Sequence, residues 1–370
     1  MIRHRYRWLI DMLCISALLG VSASSCSKQE EPDVFPLLSD TEITLSLPEW
    51  TPMVQSRATL FEEKGDLKNV EKGRGNFTLY AYVDATATKY IDGVRTWYFD
   101  DPDDSDNSEW MMLDGNERPI TYYWPNSEKL NFFAFMPYNN NDDDMSKKTH
   151  VKVLDYSKEN GGQFECALPG SASDATEIQE FIYAYESGKT KQGQYNSETK
   201  QYDPLTLRFK HPFALINFKL KGGSYRMTVH NIKFSDIHLN GTFSTKPEPN
   251  GKWKYTGGAG EYTALIEKRI PNDINYNTNL SDWFIVMPQD LNGVRLTLSA
   301  TRAADKTNLT ETAIEKTFTF SNSEGKEWKW EAGKKYTYVI SYGDNQEEIY
   351  FNVEVEEDWK LGYEHNIDVE

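Results

Sequence analysis

Apolar and polar residues alternate one by one along much of this chain. That period of two, repeated between short polar loops, restricts its fold more than any other feature. Phe77, Leu79, Ala81 and Val83 alternate with Thr78, Tyr80 and Tyr82. Leu205, Leu207 and Phe209 follow the same rule, as do Ala214, Ile216, Phe218 and Leu220 beyond Pro212. Residues 130–136 are a short apolar run closed by Pro137. Further strands are expected at 227–234, 283–287, 294–299, 314–320, 336–342 and 349–355. Runs of this length bounded by Gly, Pro, Asn and Asp are strands with one face buried. No long stretch has a period of 3.6. Residues 176–185 have room for a helical turn or two, but their Phe181-Ile182-Tyr183-Ala184-Tyr185 end reads better as a strand. Aromatic residues at 14%, with 22 Tyr, favour β structure. Many short antiparallel strands without helices to cover a parallel sheet imply β-sandwiches. The strongly polar composition and long acidic loops weigh against the competing architecture, a transmembrane barrel.

The start of the chain has the layout of a secretory signal. Arg3, Arg5 and Arg7 precede an apolar stretch over 12–21, and Ser22, Ala23, Ser24 and Ser25 lead to Cys26. The apolar run is about half of the roughly 20 residues that a spanning helix needs. Ala23-Ser24-Ser25-Cys26 resembles a bacterial lipobox, with Ala23 where Leu is usual, so Cys26 is the expected lipidation site. Two or more acyl chains hold a protein stably on a membrane where one does not. The acidic run Ser27-Lys28-Gln29-Glu30-Glu31 looks like the surface-export tag of Bacteroides-type lipoproteins, the alternative being an ordinary polar linker. The expected organisation is a signal peptide over 1–25 and a lipidated flexible tether over 26–40. An N-terminal β-sandwich follows over 41–204 and a C-terminal one over 205–370, divided at Pro204 after the polar stretch 187–203.

The formal net charge is −17, and the segment ahead of Cys26 is basic, so its removal leaves the body more acidic still. Such a body excludes a nucleic-acid partner, because phosphates require a basic face. Membrane contact is then expected only through the lipid. With Cys14 removed and Cys26 modified, Cys166 stands alone, so no internal disulfide forms and burial must supply stability. Cys166 is expected to be an inert, half-buried thiol.

No catalytic constellation is present: the chain lacks a G-x-S-x-G elbow, an H-E-x-x-H pair and a Walker loop. Lys72-Gly73-Arg74-Gly75 reads as a turn. No cofactor or metal is expected, since His230 and His238 have no partner ligand at zinc-like spacing. His211, ahead of Pro212, is expected to hold a loop by hydrogen bonding. The acidic loop 100–109 misses the glycine and final glutamate of a calcium loop, so it and the acidic loop 139–144 are expected to be solvated surface. Trp328 and Trp330 lie two apart and on a strand would share a face. They are a candidate sugar-stacking pair, weighed against packing inside the sandwich, the commoner fate of large aromatics in β proteins.

Five blocks in order carry a family resemblance. Tyr122-Tyr123-Trp124-Pro125 with Leu130-Asn131-Phe132-Phe133-Ala134-Phe135-Met136-Pro137, then the run Leu207 to Phe218 around His211 and Ala214, resemble blocks of Bacteroides-type fimbrillins. Phe284-Ile285-Val286-Met287-Pro288-Gln289-Asp290-Leu291 is similar to a third block. Trp330-Glu331-Ala332-Gly333-Lys334-Lys335-Tyr336-Thr337-Tyr338 is similar to a fourth, and Val355 with Trp359 to the last. The resemblance implies two tandem transthyretin-like sandwiches and a structural subunit (shaft, tip or anchor) of adhesive fimbriae on the outer membrane, with other fimbrial subunits as partners. It also implies maturation by cleavage after an Arg near the N-terminus, followed by donor-strand exchange. Ile43, Leu45 and Leu47 alternate as a first strand should, and Arg57-Ala58 is the candidate cleavage point. The candidate donor strand is the short acidic tail with Tyr363, Ile367 and Val369. A different class of function, a surface glycan-binding lipoprotein of an outer-membrane uptake system, would rest on Trp328 and Trp330.

Overall fold

A computed structural model describes residues 38–47, 76–99, 109–138, 142–170, 178–221, 225–271, 273, 275, 277–303, 310–322, 327–342 and 349–356. All of them fall in one compact unit, Pro36–Glu370. The chain runs through β1 (Leu38–Glu42), β2 (Leu45–Ser46), β3 (Asn76–Val83), β4 (Lys89–Phe99) and β5 (Glu109–Leu113). Next come β6 (Tyr123–Pro125), β7 (Leu130–Met136), helix α1 (Asp142–Thr149), β8 (Val151–Ser157), β9 (Gly161–Ala167) and β10 (Ile182–Lys189). Short pieces follow: β11 (Tyr195–Asn196), β12 (Gln201–Tyr202), β13 (Leu205–Thr206) and β14 (Phe209–Lys210). The second half holds β15 (Ala214–Lys221), β16 (Met227–Ile237), β17 (Asn240–Ser244), β18 (Lys252–Tyr255), β19 (Gly260–Ile270), β20 (Asn277–Asn279) and β21 (Phe284–Val286). It ends with β22 (Gln289–Asp290), β23 (Arg295–Ala303), β24 (Glu311–Thr319), β25 (Lys329–Trp330), β26 (Lys335–Tyr342) and β27 (Ile349–Glu356).

The all-β reading holds, and each stretch expected from alternation carries strand, several of them longer than the alternation alone marks, while 205–209 is split into two short strands of different sheets, β13 and β14. The strand β4 escapes that reading because Asp92-Gly93 interrupts its apolar pattern. Gly93 is left-handed, and a Cβ there would meet the Tyr80 hydroxyl at 2.8 Å, so a glycine is required where β4 kinks over β3. The acidic segment 139–144 is not all loop, because α1 begins at Asp142. Asp142, Asp143 and Asp144 open that helix, and Lys147 and Lys148 sit in its last turn. Those two lysines lie at the helix end whose dipole favours cations. Of the other acidic loop, only Glu109 is among the described residues, as the first residue of β5.

Two cores organise the strands. The sheet β14-β10-β7-β3-β4-β5 lays one face on the first core, through Phe77, Leu79, Phe132, Ala134, Ile182 and Ala184. The opposing layer is thin: β1 pairs with β6, and β2 pairs with β13. Its side chains Ile43, Leu45, Trp124, Leu205 and Leu207 complete that core. The second core lies between the sheet β20-β15-β26-β27 and the sheet β19-β16-β23-β24. Phe218, Phe234 and Tyr338 meet across it, with ring centroids 5.9 Å and 5.3 Å from Phe234.

A fourth sheet, β18-β17-β9-β8, covers the other face of the first sheet. Phe133, Phe135, Tyr183 and Tyr185 point from β7 and β10 into the cluster that holds Phe164 and Phe243 of this covering sheet. Every residue of β7 is buried as a result. Gly162 permits the close approach, since a Cβ there would lie 2.5 Å from the Phe133 ring. Strand pairing crosses the expected division at Pro204 here, with β17 bonded to β9 from Asn240↔Ala167 to Ser244↔Gln163. Likewise Leu205, Leu207 and Phe209, which follow Pro204, belong to the first core.

Phe164 sits where the covering sheet meets β10, with ring centroids 4.7 Å from Phe181, 4.8 Å from Phe243 and 5.6 Å from Trp253. Phe164→Ala should cost about 3–5 kcal/mol in urea or guanidinium unfolding. Thr317→Ala on the exposed strand β24 should stay within about 0.5 kcal/mol. Cys166 is fully rather than half buried, and burial pushes its thiol well above the ordinary cysteine value. In a chain lacking Cys14 and Cys26, a maleimide reagent at neutral pH is expected to leave the folded protein unlabelled and to label it on unfolding.

Candidate functional site

The segment 38–47 forms much of the thin layer over the first core. Ile43 and Leu45 are buried, and Leu47 packs against them from the rim. Three residues alternate inward, so the segment behaves as an extended strand even though its pairing is split between β1 and β2. Its backbone is held lightly. The Ile43 amide donates to the Tyr122 carbonyl at 2.8 Å. The Leu205 and Leu207 amides donate to the Thr44 and Ser46 carbonyls at 2.8 and 3.0 Å. The Ser46 and Thr206 hydroxyls meet at 3.1 Å across the parallel pair β2–β13. At its outer end Asp40 is tied to Lys191 at 3.3 Å, with Asp40 almost fully exposed, a pairing of little weight in water.

The seat beneath this segment is built from Trp124, Leu205 and Leu207, together with the inward faces of β3 and β7. Trp124 is 2% exposed, with its ring edge-on to Phe132 at 5.7 Å. Sequence reading marked the strand with Ile43, Leu45 and Leu47 but not its seat, because residues 205–209 looked like the opening of a second domain. The signal available was that Leu205, Leu207 and Phe209 alternate with a length and spacing that match the first strand.

Cys26, Arg57, Ala58, Tyr363, Ile367 and Val369 lie outside the described residues. The two tryptophans part company. Trp330 is 2% exposed, edge-on to Phe234 at 5.1 Å, and its indole N–H donates to the Tyr338 hydroxyl at 2.8 Å. It offers no ring face to a sugar. Trp328 is only partly buried and leans on Phe320 at 5.3 Å.

Trp328 also lines a groove of about 770 Å³. Trp253 and Tyr255 of β18 contribute to the same groove. The Trp253 indole N–H donates to the Pro212 carbonyl at 2.9 Å, and the Tyr255 hydroxyl donates to the Pro288 carbonyl. Arg208, Lys210 and Lys252 line it as well. Lys210 is half-buried and donates to the Pro249 carbonyl at 2.5 Å. Burial holds its ammonium below the ordinary lysine value, with the Arg208 charge adding to that effect and Glu186 and Glu248 opposing it. Sequence reading missed these lysines because β14 and β18 bring them together from distant segments.

His211 is buried and paired with Glu180, a structural histidine that ties β14 to the approach to β10. His230 pairs with Glu267 at 3.1 Å, and His238 stacks on Tyr255 at 4.5 Å. Among the described residues no group of three or more His, Cys, Asp or Glu side chains is placed to hold a metal ion. No helix among them is long and apolar enough to cross a membrane.

Comparison with known proteins agrees with this fold. A fimbrial protein from Bacteroides vulgatus superposes with a TM-score of 0.57 at 13% identity, covering 87% of this chain and 100% of its own. A tip fimbrial protein from Porphyromonas gingivalis covers 85% of this chain and 99% of its own, at 10% identity and a TM-score of 0.39. Nothing among the curated proteins matches the sequence. The sequence profile of the fimbrillin-like family matches residues 65–359, most of the chain, and the chain therefore belongs to the fimbrillin-like family.

Proposed function

We propose that this chain is a structural subunit of adhesive fimbriae, delivered to the outer surface as a lipoprotein anchored at Cys26 and assembled by strand exchange. Family membership supports the fimbrial and cell-surface part of this reading. The observation that carries the assembly part is the seating of residues 38–47. A strand that closes a core with alternate side chains and few backbone bonds can be replaced by another strand of the same pattern. Burial of Ile43 and Leu45 is worth roughly 1.5–3 kcal/mol each, so an incoming strand must bring comparable apolar residues. Cleavage at Arg57-Ala58 would separate this segment from β3, which begins at Asn76. Its loss would bare the Leu205 and Leu207 amides and the pockets over Trp124. Unpaired backbone groups beside an apolar slot are a template for an added strand.

Tyr363, Ile367 and Val369 of a neighbouring subunit are the proposed donors. Each of the two cores would be the filling of one sandwich in a tandem pair, tied together by the sheet that carries β9 and β17. The role is structural rather than catalytic, with other fimbrial subunits as partners and the lipid as the membrane contact.

Arginine-specific protease applied to the full-length chain should cut after Arg57 and yield SDS-resistant ladders on gels and filaments in negative-stain electron micrographs. Arg57→Ala should remain full-length and monomeric. A wild-type chain that is cut after Arg57 and still stays monomeric would sink the strand-exchange reading.

A further inference from the structure

The assembly reading leaves the groove beside β18 and β25 without a role. We propose that this groove binds an acidic oligosaccharide. Its sugar rings would lie against Trp253, Tyr255 and Trp328, and its carboxylate or sulfate groups beside Lys210, Lys252 and Arg208. This goes beyond the assembly reading by giving the subunit a ligand class for adhesion, and it does not depend on strand exchange.

Three observations carry it. First, the polar atoms of Trp253 and Tyr255 are committed to the Pro212 and Pro288 carbonyls. What these residues add to the groove is apolar ring, with one face of Tyr255 already covered by His238 and Trp253 packed on Phe164 and Phe243, and apolar ring suits the C–H face of a pyranose better than a polar contact does.

Second, the charge is segregated. In a chain of net charge −17, one wall of the groove carries Arg208, Lys210 and Lys252. Arg208 is paired with Glu186 at 3.2 Å. Among the described residues neither Lys210 nor Lys252 has a carboxylate within ion-pair distance; Lys210 donates to the Pro249 carbonyl and feels Glu186 and Glu248 only from further away. The opposite wall carries Asp290, Glu327 and Glu331 against Lys329 and Lys334, with Glu331 held by Lys329 at 3.2 Å and Lys334 at 2.5 Å, and Glu327 3.8 Å from Lys329. The cations left over therefore lie on one side, facing a partner of opposite sign. Lys210 is also partly desolvated, the environment in which an approaching anion gains most.

Third, about 770 Å³ is within the range of small-ligand sites and holds a few sugar rings. A short ligand keeps its charge inside the basic wall. A long polyanion would run out over the acidic body, which disfavours nucleic acid.

Calorimetric titration of the full-length chain in mild detergent and low salt tests this with trigalacturonate and 3′-sialyllactose, using maltotriose as the neutral probe. At least one acidic probe should bind tenfold or more tighter than maltotriose and weaken as salt is raised. Lys252→Glu, an exposed change, should weaken it at least tenfold without moving the thermal midpoint. Trp328→Ala should weaken it too, with the circular dichroism spectrum retained. The proposal is overturned if neither acidic probe binds at millimolar concentration, if maltotriose binds as well, or if Lys252→Glu has no effect. Tighter binding of AMP, or of a peptide spanning residues 357–370, would overturn it equally.

Discussion

The structure depends on a strand that has no solvent face. In β7 every second side chain enters the first core (Leu130, Phe132, Ala134 and Met136), and Phe133 and Phe135 between them enter the second. A sheet strand buried on both sides must satisfy its polar residue internally. Asn131 does so: its amide nitrogen donates to Asp84 at 2.8 Å and to Tyr156 at 3.0 Å, and its oxygen accepts from the Gly188 amide at 2.7 Å. Because β7 serves two cores, the halves of the chain cannot be loosened independently at this point. The covering sheet, with β9 from one half and β17 from the other, follows from the same need to shield Phe133 and Phe135.

That arrangement makes the two faces of the first sheet unequal. One is sealed by a four-stranded sheet and a ring cluster around Phe164. The other is closed by fragments: β1 on β6, and β2 on β13. Long strands with continuous ladders resist removal, whereas two-residue pairings gain most of their hold from side chains in pockets. A fold of this kind concentrates its backbone pairing on one side and holds the other side by shorter pairings. Under the strand-exchange proposal, the lightly paired layer would be the assembly site and the sealed layer the scaffold.

Much of this was legible in the sequence. A period of two finds strands because one face of each is wet, and it found β3, β15, β16, β23 and β26. It was weaker where that condition failed. The covering strands β9 and β17 gave no run that stood out. Asp92-Gly93 masked β4, where a kink rather than a loop uses the glycine. Three acidic residues in a row disguised the start of α1, since charge order at a helix end is easily read as a solvated loop. For the site, Ile43, Leu45 and Leu47 could be read as a strand, but their partners Leu205 and Leu207 lie some 160 residues away. Local pattern says nothing of such pairing. Trp328 and Trp330 share a spacing but not a fate: Trp330 is buried with its N–H on the Tyr338 hydroxyl, whereas Trp328 is only partly buried and lines the groove.

The central claim is that residues 38–47 are a replaceable strand. A reversible lock across β2 and β13 tests it most directly. Ser46 and Thr206 touch through their hydroxyls, so Ser46→Cys with Thr206→Cys places a disulfide between the segment and its seat. Assembly would be followed by light scattering after cleavage at Arg57. The oxidised protein should keep the cut segment bound and stay monomeric, and a reductant should release the segment and start polymerisation. Polymerisation at the same rate in the oxidised and reduced forms would contradict the account.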